Sequence, residues 1–173
     1  MRLGRYFEDT IKRSTLTANK NASPAVCREK SSRVTFRLMA EIRLAQEVAA
    51  ELLSEARSDP SAECCGLLAG QGGSITQVFT AHNAAENPTT AYEIAPPELF
   101  QLMGKIREAG LELLGIYHSH PNSDNQPSAR DIERAYYPDA AYFILSVHTN
   151  APDPIRAFSI RDGHRIELRI QIV

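Results

Sequence analysis

The chain has 173 residues, of which 43% are hydrophobic and 23% are charged, as is usual for one soluble globular domain. Its net charge of -2 gives no indication of a nucleic-acid partner, and no apolar stretch reaches the length that a transmembrane helix needs. No apolar segment of the secretory type follows the first charged residues. We therefore expect a cytoplasmic protein with neither a nucleic-acid nor a membrane partner.

The charge is distributed unevenly along the chain. Residues 1–33 contain eight Lys or Arg and three Asp or Glu, which gives this segment a net charge of +5. It has no regular apolar spacing and is rich in Ser, Thr, Asn and Lys. We predict that residues 1–38 form a flexible basic extension and that residues 39–173 form the domain, with Met39 as a candidate for the natural start.

Two stretches have the apolar spacing of amphipathic helices. Residues 45–58 are rich in Ala, Leu and Glu, and the pattern stops at Asp59 and Pro60. Residues 96–109 begin with two prolines, which the first turn of a helix tolerates, and end before Gly110. We predict two helices whose apolar faces belong to the core.

Apolar runs rich in β-branched and aromatic residues predict the strands. These runs cover residues 41–44, 65–69, 75–81, 113–120, 142–147, 155–161 and 165–173. Residues 70–73, Gly-Gln-Gly-Gly, predict a hairpin turn and not a phosphate loop, because no Lys-Ser/Thr follows and no helix begins there. The order of elements predicts an α+β fold with a mixed, curved β-sheet flanked by helices.

The segment that follows the fourth predicted strand carries most of the polar chemistry. His118 and His120 stand at the end of that strand, where residues two positions apart project to the same face. Two imidazoles on one face can bind one metal ion, and a catalytic zinc site takes a third His, Asp or Glu ligand while one position stays open for water. Asp131 is the natural candidate for that third ligand.

These residues also have simpler interpretations. A single histidine beside an apolar strand is more often packed or solvated than bound to a metal. Ser128 and Asp131 fit the pattern of a helix N-cap followed by an acidic residue at the third position. The two roles of Asp131 are compatible, because a cap fixes where the helix begins and so can direct the carboxylate toward the strand end.

A hydrolytic metal site needs a carboxylate that carries protons without binding the ion. Glu63 stands at the start of the apolar run Cys-Cys-Gly-Leu-Leu-Ala-Gly, although the spacing alone also allows a surface glutamate. Cys64 and Cys65 form neither a CxxC pair nor a disulfide framework. A cysteine protease that uses Cys65 with His118 or His120 is disfavoured, because an apolar strand raises the pKa of a thiol.

Several polar residues near this segment have less certain roles. Four of them would line the mouth of the site if the loop lies beside the histidines, although a solvated loop residue is the commoner interpretation of any one of them: Tyr117, Asn122, Ser123 and Asp124. The three remaining histidines, His82, His148 and His164, stand beside turns or strand ends, and we expect them to take no part in the site.

The combination of ECCGLLAG with HSHPNSDNQPSARD resembles the JAMM metalloproteases, also called the JAB or MPN-plus domain, and in particular their compact bacterial branch. The signature of that family is a Glu, then far downstream His-x-His-Pro, seven residues, and Ser-x-x-Asp. Five residues occupy its polar positions here: Glu63, His118, His120, Ser128 and Asp131.

The resemblance implies a JAB/MPN-like fold with a layout similar to that of cytidine deaminases. It also implies one Zn²⁺ per chain bound by His118, His120 and Asp131, with Glu63 as the general acid/base and Ser128 as a stabiliser of the oxyanion. The implied reaction is hydrolysis of an amide or isopeptide bond at the extended C-terminus of a ubiquitin-like or sulfur-carrier protein. The short interval between Asp131 and the next predicted strand leaves no room for the insertion with which some relatives recognise a linked ubiquitin.

Two alternatives remain from other functional classes. A RadC-like protein associated with DNA repair shares the spacing of the second motif, but the sequence shows neither a helix-hairpin-helix segment nor a basic face. A non-catalytic MPN scaffolding module would be expected to have lost metal ligands, whereas this chain keeps all of them.

Deletion of residues 1–38 should leave the zinc content and the melting temperature nearly unchanged, because this segment contributes no apolar pattern to the predicted core. Metal analysis and thermal unfolding of the shortened and full-length proteins test the expectation. A large loss of either property would assign the segment to the folded domain.

Overall fold

Ten regular elements follow one another in the computed structural model, which describes residues 41–173. The strands are β1 (Glu41–Leu44), β2 (Cys65–Gln71), β3 (Ser74–Ala81), β4 (Glu112–His120), β5 (Ala141–Ser146), β6 (Ile155–Arg161) and β7 (His164–Ile172). The helices are α1 (Gln46–Ser58), α2 (Pro96–Glu108) and α3 (Ala129–Glu133). Among residues 41–173, no helix is long and apolar enough to span a membrane.

The apolar patterns located these elements to within two residues at each predicted end. The glycine-rich turn is a tight hairpin in which Gly72 and Gly73 have φ angles of 58° and 76°, a conformation that favours glycine at both positions. The predicted α+β class is confirmed. The extension predicted for residues 1–38 lies outside the described part of the chain and stays a prediction.

The sheet is mixed, as predicted, but it also closes on itself. Its strand order is β1-β3-β2-β4-β5-β6-β7, and β1 pairs in parallel with both β3 and β7. The pair β4/β5 is parallel as well, while the hairpins β2/β3, β5/β6 and β6/β7 are antiparallel. Four residues of β1 therefore convert a curved sheet into a barrel.

Both faces of the central strands are buried, and a different helix covers each face. Leu68 and Tyr117 pack in a cluster with α1, whereas Leu67 and Ile116 pack in a second cluster with α2. Because side chains alternate along a strand, the residues two and four positions after Ile116 point to the face that α2 covers. The end of β4 thus places both of its histidines on that face.

A half-buried hydrogen bond joins α1 to the strand that carries the histidines. The Tyr117 hydroxyl donates to Glu55 Oε2 at 2.6 Å. The neighbouring strand has Gly66 opposite Tyr117, and a Cβ at that glycine would lie 2.6 Å from the tyrosine ring. Glycine at this position therefore lets the ring lie flat across β2 and reach the helix.

The α1 interface gives a test of the fold. Leu52 is fully buried, whereas Leu53 on the same helix is only partly buried. Leu52→Ala should lower the free energy of unfolding by about 2–5 kcal/mol, because it leaves a cavity in the cluster, and Leu53→Ala should cost clearly less. Urea titrations measure both values, and equal losses would contradict the packing described here.

Candidate metal centre

The end of β4 presents two imidazoles in a water-excluded setting. His118 pairs with Cys65 of β2 and Ile144 of β5, so it lies in the middle of the sheet and is fully buried. His120 is 5% exposed, and its ring nitrogen Nε2 lies 3.0 Å from Nε2 of His118. The strand therefore aims one nitrogen of each ring at a common point.

Asp131 reaches the same point from the short helix α3. Ser128 is the N-cap of that helix, and its backbone N–H and hydroxyl each donate to Asp131 Oδ2 at 2.7 Å. The Asp131 backbone N–H donates in return to Ser128 Oγ at 3.2 Å. This capping box turns the carboxylate toward the histidines, with Oδ1 3.5 Å from His118 Nε2 and Oδ2 3.5 Å from His120 Nε2. Asp131 therefore takes part in the helix cap and also faces both histidines, as expected from the sequence.

These three side chains fit a divalent transition metal. Their donor atoms lie within 4.8 Å of one another. Ligand atoms about 2.0–2.1 Å from a tetrahedral zinc ion would be about 3.3 Å apart. The two Nε2 atoms are 3.0 Å apart, and each lies 3.5 Å from a different oxygen of the Asp131 carboxylate, so the donors are spaced on the scale of one such site. Two imidazole nitrogens with one carboxylate oxygen also form a donor set that catalytic zinc sites use.

His118 and Asp131 have the protonation states that a metal requires, whereas a metal ion at His120 would have to displace a proton from Nε2. Burial lowers the pKa of His118, which favours the neutral ring that a metal requires. Burial would also lower the pKa of His120, but hydrogen bonding to Asp131 and to the Asp124 carbonyl outweighs it and raises that pKa. Burial alone would raise the pKa of Asp131, yet contacts with both histidines hold it well below its usual range. The aspartate is therefore an anion at neutral pH.

The loop after β4 orients His120. Its Nδ1 donates to the backbone carbonyl of Asp124 at 2.6 Å, and Ser123 Oγ lies 3.1 Å from the same nitrogen. A proton fixed on Nδ1 leaves the lone pair on Nε2, the atom that faces Asp131. The sequence did not assign this role, because the acceptor is a backbone carbonyl that any residue could supply.

Glu63 lies just before β2 and is 7% exposed. Its backbone is held at both ends, because its N–H donates to the Pro88 carbonyl at 2.7 Å and its carbonyl accepts from Asn83 Nδ2 at 2.9 Å. Burial raises the pKa of Glu63 to about 7; the charge of His120 lowers this pKa by a smaller amount, and the charge of Asp131 raises it. A carboxyl group with this pKa can both accept and donate a proton near neutral pH.

Other residues singled out in the sequence take different positions. Tyr117 does not line the mouth, because its ring is buried on the face opposite the histidines and contacts Glu55. Burial raises the pKa of the Cys64 thiol to about 11 and that of Cys65 to about 12, so neither is an activated nucleophile. His82, His148 and His164 do not belong to the cluster of three donors found among residues 41–173.

A cavity of about 810 Å³ opens beside the loop that orients His120. Residues 122–125 form one wall, and residues 148–152 after β5 form the other. Its lining residues are largely uncharged, with Asn, Ser, Thr and His side chains beside Asp124, Ala151 and Pro152. Asn122, Ser123 and Asp124 therefore line an opening formed by the loop that follows His120, and their place at the mouth of the site stays a prediction.

Comparison with known proteins agrees with this geometry. A family model described as prokaryotic homologs of the JAB domain matches residues 45–161. A desampylase from Haloferax volcanii is 41% identical over 111 residues, which cover 61% of this chain and 80% of that protein. A probable TtuB-protein conjugate cleaving protease from Thermus thermophilus is 35% identical over 125 residues, which cover 72% of this chain and 77% of that protein.

A solved structure has a similar fold. The solution structure of a protein from Desulfitobacterium hafniense superposes with a TM-score of 0.66 and is 29% identical, covering 76% of this chain and 92% of that one. The matched family segment begins just before α1 and ends with β6, so it contains every residue of the donor cluster as well as Glu63. The chain belongs to the family of prokaryotic JAB-domain proteins.

Proposed function

We propose that this protein is a zinc-dependent peptidase that hydrolyses an amide or isopeptide bond at the C-terminus of a ubiquitin-like or sulfur-carrier protein. The observation that carries the proposal is the convergence of His118, His120 and Asp131, together with a buried glutamate, Glu63, that interacts electrostatically with His120 and Asp131. A relative named as a conjugate cleaving protease supports the choice of reaction. No observation among residues 41–173 favours a RadC-like role or a metal-free scaffold.

In this proposal His118, His120 and Asp131 hold the metal. Bound zinc supplies Lewis acidity, which makes water acidic enough to act as a nucleophile near neutral pH. The protein contributes a rigid donor set, since β4 fixes the two rings and the capping box fixes the carboxylate. Low exposure of all three side chains strengthens electrostatic interactions inside the site.

Glu63 is the proton carrier of the proposed reaction. Its carboxylate form takes a proton from the attacking water, and its acid form delivers a proton to the departing amine. A pKa raised to about 7 by burial makes both forms accessible at neutral pH. The hydrogen bonds with Pro88 and Asn83 hold the Glu63 backbone and use neither of its carboxyl oxygens.

Ser128 is proposed to act mainly through Asp131. Its hydroxyl donates to Oδ2 and its oxygen accepts from the Asp131 backbone, so both functions of the hydroxyl serve the cap. Stabilisation of the oxyanion, the role implied by the family resemblance, would require this proton to leave Asp131 during the reaction. That role stays a prediction, and positioning of the metal ligand is the one that the hydrogen bonds favour.

The surroundings of the site favour an extended, slender substrate segment. Only residues 134–140 connect α3 to β5, so no long insertion covers this side of the site. A carrier protein with a flexible glycine-rich tail could approach the buried donors, whereas a folded surface could not. The opening of about 810 Å³ lined by residues 122–125, just after His120 in the chain, is a candidate place for such a segment.

Replacement of the proton carrier should separate catalysis from metal binding. Glu63→Gln should keep one zinc per chain and lower kcat by roughly 10²- to 10⁴-fold, because it removes an acid/base but none of the three donors. Glu112→Gln, at the exposed start of β4, is the matched control and should behave as the parent. Metal analysis and single-turnover hydrolysis give the two readouts, and a fully active Glu63→Gln protein would remove Glu63 from the mechanism.

The substrate class can be tested with a ubiquitin-like sulfur carrier extended at its C-terminus by a short peptide. The protein should release the peptide after the terminal glycine, a metal chelator should abolish release, and added Zn²⁺ should restore it. A carrier whose last glycine is replaced by valine serves as the control, because a side chain there would obstruct a narrow site. Intact-protein mass spectrometry identifies the bond, and release that persists in chelator would contradict a metal-dependent reaction.

A further inference from the structure

The two histidines of the proposed metal site are held in different ways. His120 has the Asp124 carbonyl as a partner for Nδ1 at 2.6 Å. His118 Nδ1 is buried and has no hydrogen-bond partner among residues 41–173. Metal-binding histidines usually gain their ring orientation from a hydrogen bond at the second nitrogen. Some other contact must therefore orient the His118 ring.

An aromatic ring supplies that contact. Tyr92 stacks on His118 with a distance of 4.4 Å between the ring centroids and an angle of 21° between the ring planes. The tyrosine comes from the segment between β3 and α2, and it packs against the cluster on the α2 side of the sheet. Rotation of the imidazole about its Cβ–Cγ bond would drive one ring edge into the face of Tyr92.

The segment that carries Tyr92 is itself anchored on both sides of the tyrosine. Asn83 Nδ2 donates to the Ala91 carbonyl at 2.9 Å, and Asn83 Oδ1 accepts from the Glu93 backbone N–H at 3.1 Å. The same amide nitrogen donates to the Glu63 carbonyl at 2.9 Å. One side chain thus fixes the backbone of both the stacking tyrosine and the proposed proton carrier.

We propose that Tyr92 is a positioning residue for the metal ligand His118, whose imidazole plane it fixes by stacking in place of a hydrogen bond to Nδ1. The inference rests on the proposed metal site and extends it to a residue outside the family signature. The ring is what matters, because the Tyr92 hydroxyl makes no hydrogen bond in the described part of the chain to either histidine or to Asp131.

Zinc affinity of purified variants tests this role. Competition with a chromophoric chelator gives the dissociation constant for Zn²⁺ without any reference to catalysis. Tyr92→Phe should bind zinc within about twofold of the parent, because the stacked ring remains. Tyr92→Leu should bind about 10-fold or more weakly, at the lower end of the cost of losing an outer partner of a metal ligand.

Leu102→Ala is the matched control for a general loss of packing. Leu102 lies in the same cluster but on helix α2, and its truncation should lower the melting temperature while leaving zinc affinity unchanged. Tyr92→Met replaces the leucine variant if that protein does not fold, since methionine adapts to irregular gaps. Melting temperatures of the metal-free proteins identify folded variants.

The possible results separate this inference from the proposed function. If the parent binds zinc and Tyr92→Leu binds it equally well, the positioning role is overturned and the metal site stands. If Tyr92→Phe loses as much affinity as Tyr92→Leu, the ring face is not the determinant and the inference is overturned as well. A parent protein that binds no zinc would overturn the proposed function and this inference together.

Discussion

The site depends on a carboxylate that a helix cap directs against the end of a strand. Without the two hydrogen bonds that Ser128 donates to Asp131, the carboxylate would be free to turn to solvent. The two buried imidazoles would then lack the anion that faces their Nε2 atoms. With those bonds, an anion lies 3.5 Å from each of two ring nitrogens that themselves are only 3.0 Å apart. Such a cluster of donors in a buried setting is satisfied best by a cation. The rest of the fold holds the end of β4 and the N-cap of α3 close enough for these contacts.

The surroundings of the site shift the pKa values of two carboxyl groups in opposite directions. Burial raises the pKa of Glu63 to about 7, whereas the two histidines hold the pKa of Asp131 well below its usual range. Carboxyl groups whose pKa values are driven apart in this way commonly serve as a proton carrier and a permanent anion. The thiols beside Glu63 are excluded from the chemistry, because burial raises their pKa values to about 11 and about 12. The proposed acid/base function and the proposed metal binding thus depend on position as much as on residue type.

Much of this arrangement could be predicted from the sequence. Helical and strand periodicity located α1, α2 and the strands, because these elements bury regular apolar faces. The signature motif predicted the family, and that prediction is confirmed. Closure of the barrel was not predicted, since four residues of β1 do not reveal two parallel partners. The stacking of Tyr92 on His118 also has no sequence pattern, because it joins residues 26 positions apart through a loop anchored by Asn83. Tyr117 was misplaced because alternation along β4 directs it to the opposite face.

The central claim is that two imidazoles and one carboxylate of this chain bind zinc. X-ray absorption spectroscopy at the zinc edge tests it most directly on the purified protein with one equivalent of metal. The account predicts a shell of nitrogen and oxygen atoms at about 2.0 Å, with the scattering pattern of two imidazoles and with no sulfur at about 2.3 Å. Loss of one imidazole contribution in His118→Ala would agree with that assignment. A sulfur shell, or an unchanged spectrum in the variant, would contradict it.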